Sequence, residues 1–446
     1  MALYPAYKKY KPTRCAWLKE IPEHWEYKRI KNVASHNDEA LDERTEPDLE
    51  IEYVDISSVS LINGIEKTES MPFEKAPSRA RRKVKDGDII VSTVRTYLKA
   101  IAPICEPPEN MVVSTGFAVV RPRENLFSGF AGYLLQSNGF VGDVVANSVG
   151  VSYPAINASD LVRIPAVEPP LDEQQAIARF LDFKTAQIDA LIAKKKSLLD
   201  KLAEKRTALI SHAVTKGLDP SVPMRNSGVA WLGEIPAHWK VIRIKHITPV
   251  KRGASPRPID DPKYFDDDGE FAWVRITDVS ASDRYLLDTT QRLSELGSSL
   301  SVKRYPGDLF LSIAGTVGKP IITNIKCCIH DGFVYFPDLQ ESNEFFYYLF
   351  ACGQPYLGLG KMGTQLNLNT DTVGSILIGL PSRIEQQEIV EFLDRKTAQL
   401  DDQAARINSA IDRLNEYRSA LITNAVTGKI DVRDFAIPQI AEGLAS

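Results

Sequence analysis

EQQAIARFLDFKTAQIDALIAKKKSLLDKLAEKRTALISHAVT runs from Glu173 to Thr215, and a close copy, EQQEIVEFLDRKTAQLDDQAARINSAIDRLNEYRSALITNAVT, returns 212 residues later from Glu385 to Thr427. Neither copy contains Gly or Pro, and both are rich in Ala, Leu, Lys, Glu and Gln, so each predicts one long helix. In the first copy Ile177, Leu181, Ile188, Leu191, Leu198, Leu202 and Leu209 recur at steps of four and three, with Lys184, Lys195 and Lys205 filling the remaining steps. That is a 3.5-residue seam, as in a coiled coil. The second copy keeps the register with Ile389, Leu393, Leu400, Ile407, Leu414 and Leu421. Lysines on such a seam pack their stems and reach water with their ammonium groups. Two matched seams in one chain predict that the helices pair with each other. Independent amphipathic helices and a seam between two copies of the chain are the other arrangements the pattern allows.

The repeat extends beyond the helices. CAWLKEIPEHWEYKRIKNV (Cys15 to Val33) returns as VAWLGEIPAHWKVIRIKHI (Val229 to Ile247), 214 residues on. The whole chain therefore reads as a tandem duplication. Its parts are a first lobe, 1–172; a helix, 173–216; a second lobe, 217–384; a helix, 385–431; and a tail, 432–446. The shared ends match closely, while the bodies between them, about 34–170 and 248–380, barely align. A common frame carrying two different specificities explains that contrast. Both bodies read as mixed α/β. Strand character falls on 51–59, 86–94 and 110–122 in the first, answered by 270–280 and 306–323 in the second. Residues 127–145 look helical despite interior glycines, and 345–352 answers part of them. The expected fold is two similar α/β domains joined by two long antiparallel coiled-coil helices, with pseudo-twofold symmetry.

Composition excludes several classes. Hydrophobic residues make up 43% and charged residues 25%, as in an ordinary globular protein, and no apolar run is long enough to span a bilayer. The N-terminus, MALYPAYKKYKP, lacks the apolar core of a signal peptide. Five cysteines without zinc spacing predict reduced thiols in a cytoplasmic protein, and the scattered histidines form no metal pattern. GLGKMG (358–363) matches G-x-G-x-x-G but follows no strand, and GTVGK (315–319) is too short for a P-loop and runs into Pro320. No acid, base and nucleophile cluster into a catalytic site, and no metal-dependent nuclease core or adenine-methyltransferase loop is present.

Charge points instead to recognition. Net charge is only −4, yet Lys240 to Arg257 holds six basic residues and no acidic one, and Arg79 to Lys99 holds seven basic and two acidic. Segregated basic patches on a near-neutral chain can form a phosphate-binding face. Side chains suited to base edges and phosphates fall on the expected loops. In the first body these are Thr93, Arg95, Tyr97, Lys99, Ser148, Ser152 and Tyr153. In the second they are Arg252, Ser255, Arg257, Thr316, Lys319, Lys361, Thr364, Gln365, Asn367 and Asn369. For any one of them an ordinary exposed loop side chain is the competing reading.

With WLKEIPEHW and WLGEIPAHW, GDIIVSTVR and GDLFLSIAGTVGK, and two proline-then-EQQ helices in this order, the chain resembles the specificity subunits of type I restriction–modification systems over essentially its full length. Its departures are small: Lys19 stands where the second copy has Gly233, and Arg14–Cys15 where it has Gly228–Val229. The resemblance implies a subunit that performs no chemistry. Each body would be a target recognition domain reading half of a bipartite double-stranded DNA site, and the helices a spacer on which two methylation subunits dock. S-adenosylmethionine, ATP and Mg would belong to the methylation and the restriction or motor subunits. A coiled-coil scaffold with protein-binding lobes, or a self-sufficient nuclease or methyltransferase, are the alternatives. Each 43-residue copy spans roughly 65 Å as a helix, which caps the separation of half-sites at about 19 base pairs.

Overall fold

The computed structural model describes residues 4–15, 17–356 and 368–437. Two helices organise it, Leu171–Lys216 and Arg383–Val426. Each follows a proline passage that stops the preceding strand. Asp172 and Glu173 in the first turn of one, and Glu385 in the first turn of the other, complement the positive helix end. Each is followed by a glycine with left-handed backbone, Gly217 and Gly428, both at φ 72°, the conformation that closes helix ends with least strain.

The chain forms two compact units, Met1–Lys195 with Asn408–Ser446, and Lys196–Ile407. Each contains one lobe and one end of each long helix. In the first unit the WLKEIPEHW motif packs between two helix ends. Trp25, fully buried, donates its indole N–H to Glu173 Oε1 at 2.9 Å, while a Cβ on Gly428 would lie 3.1 Å from the same indole. In the second unit Trp239 donates to Glu385 Oε1 at 3.2 Å, and a Cβ on Gly217 would lie 3.4 Å from its ring. The start of one helix thus meets the end of the other through a tryptophan, and the paired segments run antiparallel in each unit. Farther along, Arg418 Nε binds Asp189 Oδ1 at 3.0 Å in the first unit, and Arg206 binds Asp401 in the second. Asp189 and Asp401, like Arg206 and Arg418, are equivalent positions of the repeat. The same ion pair is made once in each unit with the helices exchanging roles, as the sequence repeat leads one to expect.

The EQQ motif explains its own recurrence. Its glutamate holds the opening motif, and the glutamine beside it holds the lobe. Gln174, buried, donates to Pro169 O at 2.8 Å and Asn125 O at 3.0 Å and accepts from Phe127 N at 2.8 Å. Gln386 donates to Pro381 O at 3.1 Å and Glu341 Oε2 at 2.8 Å and accepts from Ser342 N at 3.1 Å.

One seam differs from the heptad reading. In the second helix Ile389, Leu393, Leu400 and Leu421 are buried, and Ile407 and Leu414 half-buried. In the first, Ile177, Leu181 and Ile188 are buried and Leu202 and Leu209 half-buried, but Leu191 and Leu198 are 44% and 47% exposed. The inward line passes instead through Thr185, Ile188, Ile192 and Leu199. A helix of 3.6 residues per turn drifts off a 3.5-residue repeat, and two successive four-residue steps, Ile177 to Leu181 to Thr185, absorb the drift. They fall where the helix packs on its lobe, with Tyr133 Oη donating to Asp182 Oδ1 at 2.7 Å.

The lobes share one topology. In the first, an antiparallel sheet runs Ile101–Pro103, Ile89–Ser92, Phe117–Pro122, Ala34–His36; a second runs Glu69–Pro72, Glu50–Val54, Met111–Ser114, Ala80–Lys83, its central pair parallel. In the second lobe the counterparts run Pro320–Thr323, Leu309–Ser312, Phe333–Tyr335, Lys251–Arg252, with Tyr285–Leu286 added at the edge, and Arg292–Leu293, Phe271–Val274, Cys327–Ile329, Val302–Arg304, again with a parallel central pair. The fold is a mixed α/β tandem repeat on two long helices. The single stretch 110–122 of the sequence reading is two strands in different sheets, because the chain turns at Thr115–Gly116. Likewise 127–145 is two helices, Ser128–Gln136 and Asn138–Ala146, broken at Ser137, whose hydroxyl caps the second.

Two outcomes follow from this frame. Trp25→Ala should destabilise the first unit by about 3–5 kcal/mol, the usual loss for a buried aromatic, read by denaturant unfolding. Burial pushes the Glu385 carboxyl up, but hydrogen bonds from His238, Trp239 and Ser382 outweigh it and hold it below its ordinary value of 4.5. Its anion therefore stabilises the fold fully above that value, and the contribution is lost as pH falls through the lowered one. The stability gap between the native chain and Glu385→Gln should be constant near neutral pH and close on acidification below pH 4.5.

Candidate nucleic-acid interface

In the first unit the strand Ile89–Ser92 leads into a tight turn. Arg95 and Lys99 adopt left-handed backbone, at φ 49° and 54°, on either side of a 3-10 turn, Thr96–Leu98. This throws Arg95, Tyr97 and Lys99 outward, and all three are exposed. Thr93 turns the other way: it is buried, and its hydroxyl donates to Gly116 O at 2.9 Å. The loop at 147–155 closes over this turn. Thr96 N donates to Pro154 O, and the Thr96 and Ser148 hydroxyls lie 2.7 Å apart. Ser148 also donates to Val144 O at 2.7 Å. The Arg95 guanidinium stands 5.1 Å from the centre of the Tyr153 ring, a stacking that orients the planar fork while leaving its edge free. Ser152 is exposed at the loop tip. Two segments some fifty residues apart thus make one cationic, aromatic surface.

The second unit is built differently at the equivalent sheet end. Gly253 passes so close to the neighbouring strand that a Cβ would lie 2.2 Å from His330 O, so only glycine fits. Arg252, Ser255 and Arg257 gather on Asp331: Arg252 Nε donates to its carbonyl, Ser255 Oγ to Oδ1 at 3.2 Å, and Arg257 Nη2 lies 3.5 Å from Oδ2. Asp331 is a residue the sequence reading missed; nothing local marks it, because its partners lie over seventy positions away. Thr316 pairs hydroxyls with Ser280 at 2.6 Å. The Lys319 ammonium is engaged, donating to Ser280 O at 3.1 Å and Ser282 O at 2.6 Å at the end of the helix Ile276–Ala281. Asn369 caps the helix Thr370–Ser375, accepting from the Asp371 and Thr372 N–H groups, both at 2.9 Å. Lys361, Thr364, Gln365 and Asn367, and the GLGKMG stretch, lie outside the described residues.

Among the described residues no group of three or more His, Cys, Asp and Glu side chains is placed to hold a metal ion, and no helix is long and apolar enough to cross a membrane. All five cysteines are free. Burial pushes the Cys327 thiol up to about 12 and those of Cys328 and Cys352 up to about 11, which suppresses their thiolates.

This layout, a duplicated lobe on a shared two-helix frame with differing loops, defines a modular recognition protein. The family model for the type I restriction modification DNA specificity domain matches it twice, over residues 22–201 and 236–413, and the chain belongs to that family. It is 25% identical over 425 residues to the Type I restriction enzyme HindI specificity subunit of Haemophilus influenzae, covering 79% of this chain and 89% of that protein. It is 24% identical over 436 residues to the putative MjaX specificity subunit of Methanocaldococcus jannaschii, covering 93% and 95%. Among solved structures, a chain from work on complex assembly and conformational transition of the type I R-M system superposes with a TM-score of 0.71 at 22% identity, over 92% of this chain and 99% of that one. The HsdS subunit from Thermoanaerobacter tengcongensis gives 0.50 at 23% identity, over 92% and 98%. At those identities the structural likeness speaks for the fold.

The two kinds of loop residue should separate experimentally. Lys319→Met removes two charge-assisted hydrogen bonds and should lower stability by roughly 1.5–3 kcal/mol. Arg95→Met, on an exposed side chain, should leave the denaturant midpoint within about 0.5 kcal/mol of the native chain.

Proposed function

We propose that this chain is the sequence-specificity subunit of a type I restriction–modification complex. The carrying observation is that a closely repeated frame, Glu173 with Trp25 and Glu385 with Trp239, presents two lobes of one topology whose reading loops share almost no side chains. A frame with twofold repetition matches the twofold of duplex DNA, and unlike lobes make the site asymmetric. In this reading residues 1–172 and 217–384 are the two target recognition domains, 173–216 and 385–431 the spacer, and 432–446 a tail. Each lobe contributes cations, Arg95 and Lys99 in one and Arg252 and Arg257 in the other, that neutralise phosphates and release counterions. Lys361, Thr364, Gln365 and Asn367 are retained as base-contact candidates of the second lobe.

The chain itself does no chemistry and binds no cofactor. Two methylation subunits dock on the frame and supply S-adenosylmethionine chemistry at adenine N6, which needs the base flipped out of the duplex. The restriction and motor subunits hold ATP and Mg, and the complex works in the cytoplasm.

A base-modification map of DNA from cells expressing the chain with its methylation subunits tests this. The expected result is methyladenine in one asymmetric two-part motif with a fixed gap; methylation of a single undivided motif, or none from an assembled complex, would overturn it. Deleting one turn from each long helix shortens the spacer by roughly 5.4 Å and should reduce the tolerated gap by about one or two base pairs, leaving both half-motifs unchanged.

A further inference from the structure

Among the described residues of the first unit, the most exposed apolar side chain lies where a globular protein has no use for one. Val151 is 101% exposed, Val149 80% and Tyr153 68%. They stand on a narrow hairpin, and the hairpin is not loose. Val149 N donates to Ala155 O at 2.8 Å and Ala155 N to Val149 O at 3.0 Å. Ala155 also bridges to Val94, which ties the hairpin to the Arg95 turn. Gly150, at φ 114°, makes the bend; a Cβ there would stand 3.0 Å from Tyr153 O. Among the described residues nothing packs against Val151, so its apolar surface is available to a partner.

The surroundings specify that partner's charge. Arg95 stands against the hairpin's Tyr153 and Lys99 closes the same turn, and neither 93–99 nor 147–156 contains an acidic residue. The major groove of B-DNA admits a two-stranded ribbon of this kind. Within that groove the bases offer hydrogen-bonding edges almost everywhere, and the one apolar group they present is the C5 methyl of thymine. A valine at a rigid tip between cations has that methyl as its complement.

We propose that Val151 is a specificity-determining residue that reads a thymine methyl in the half-site of the first lobe. The proposal rests on the DNA-reading function above and adds one base to it. Arg95 and Lys99 bring the tip to the groove, and the Thr96, Ser148 and Val94 contacts fix the height at which Val151 meets the base pair.

The test uses the full chain in its complex with the methylation subunits, on duplexes carrying the mapped motif. Each thymidine is replaced in turn by deoxyuridine, which removes only the methyl group. One position, confined to one half-motif, should lose affinity about fourfold, the effect of leaving one methyl group unburied. Val151→Ser should abolish that thymidine preference, keep the native melting behaviour, and relax the methylation map at that base pair alone. Intact binding to the two-part motif with no uracil-sensitive position would overturn the proposal and leave the function standing. So would a uracil sensitivity that Val151→Ser leaves unchanged, or a first-lobe half-motif without thymine. Loss of all sequence-specific binding by the native complex would instead overturn the function, and this inference with it.

Discussion

A carboxylate at the first turn of each long helix, buried at Glu173 and half-buried at Glu385, carries the architecture. Glu173 is 4% exposed, and such a group must be fully hydrogen-bonded to be tolerated in the interior. Its partners come from far away in the chain: the Trp25 indole, the Tyr7 hydroxyl, and the His24 ring at 2.8 Å. Burial and the neighbouring carboxylate raise the Tyr7 phenol above its ordinary value, so it remains a donor. Satisfying one charge therefore docks the opening motif on the helix. Because Trp25 also covers Gly428, the same contact places the end of the other helix. Glu385 repeats the arrangement with His238 and Trp239 and is more exposed; among the described residues no tyrosine takes the place of Tyr7.

This division of labour accounts for the uneven similarity of the two halves. The frame is overdetermined. The glutamate needs its tryptophan, the glutamine needs the acceptors of its own lobe, and each terminal glycine must clear an indole or a proline ring. Few substitutions satisfy all of these together. The outward side chains of the sheet-end loops answer to fewer such demands. In the first lobe the loop is held by backbone hydrogen bonds and one pair of hydroxyls. In the second, a single aspartate gathers two arginines and a serine. Either solution leaves the outer side chains free to vary, as a protein with two different specificities requires.

How far the site could be read from sequence depended on which way each side chain turned. Arg95, Tyr97 and Lys99 face out because two residues accept left-handed backbone, a choice no periodicity announces. Thr93, two positions before Arg95, faces in. Lys319 and Asn369 look like base-reading residues by composition, yet their polar groups close helix ends, a use that depends on where those helices stop. Nothing in the sequence marks Asp331 or Val151, since an aspartate argues against an anionic partner and a valine in a polar loop is ordinary until its exposure is known.

The sequence alone determined the duplication, the two long helices and the mixed α/β lobes, because these are written in repeats, periodicity and spacing that act over a few turns of chain. Tertiary structure decided the rest. It placed the inward face of the first helix on Ile192 and Leu199 rather than Leu191 and Leu198, since helical drift is corrected only where packing demands it. It split 110–122 between two sheets. It joined residues 93–99 to 147–155, and 252–257 to Asp331, because long-range hydrogen bonding and the exclusion of water from buried polar groups depend on position in space, not in sequence.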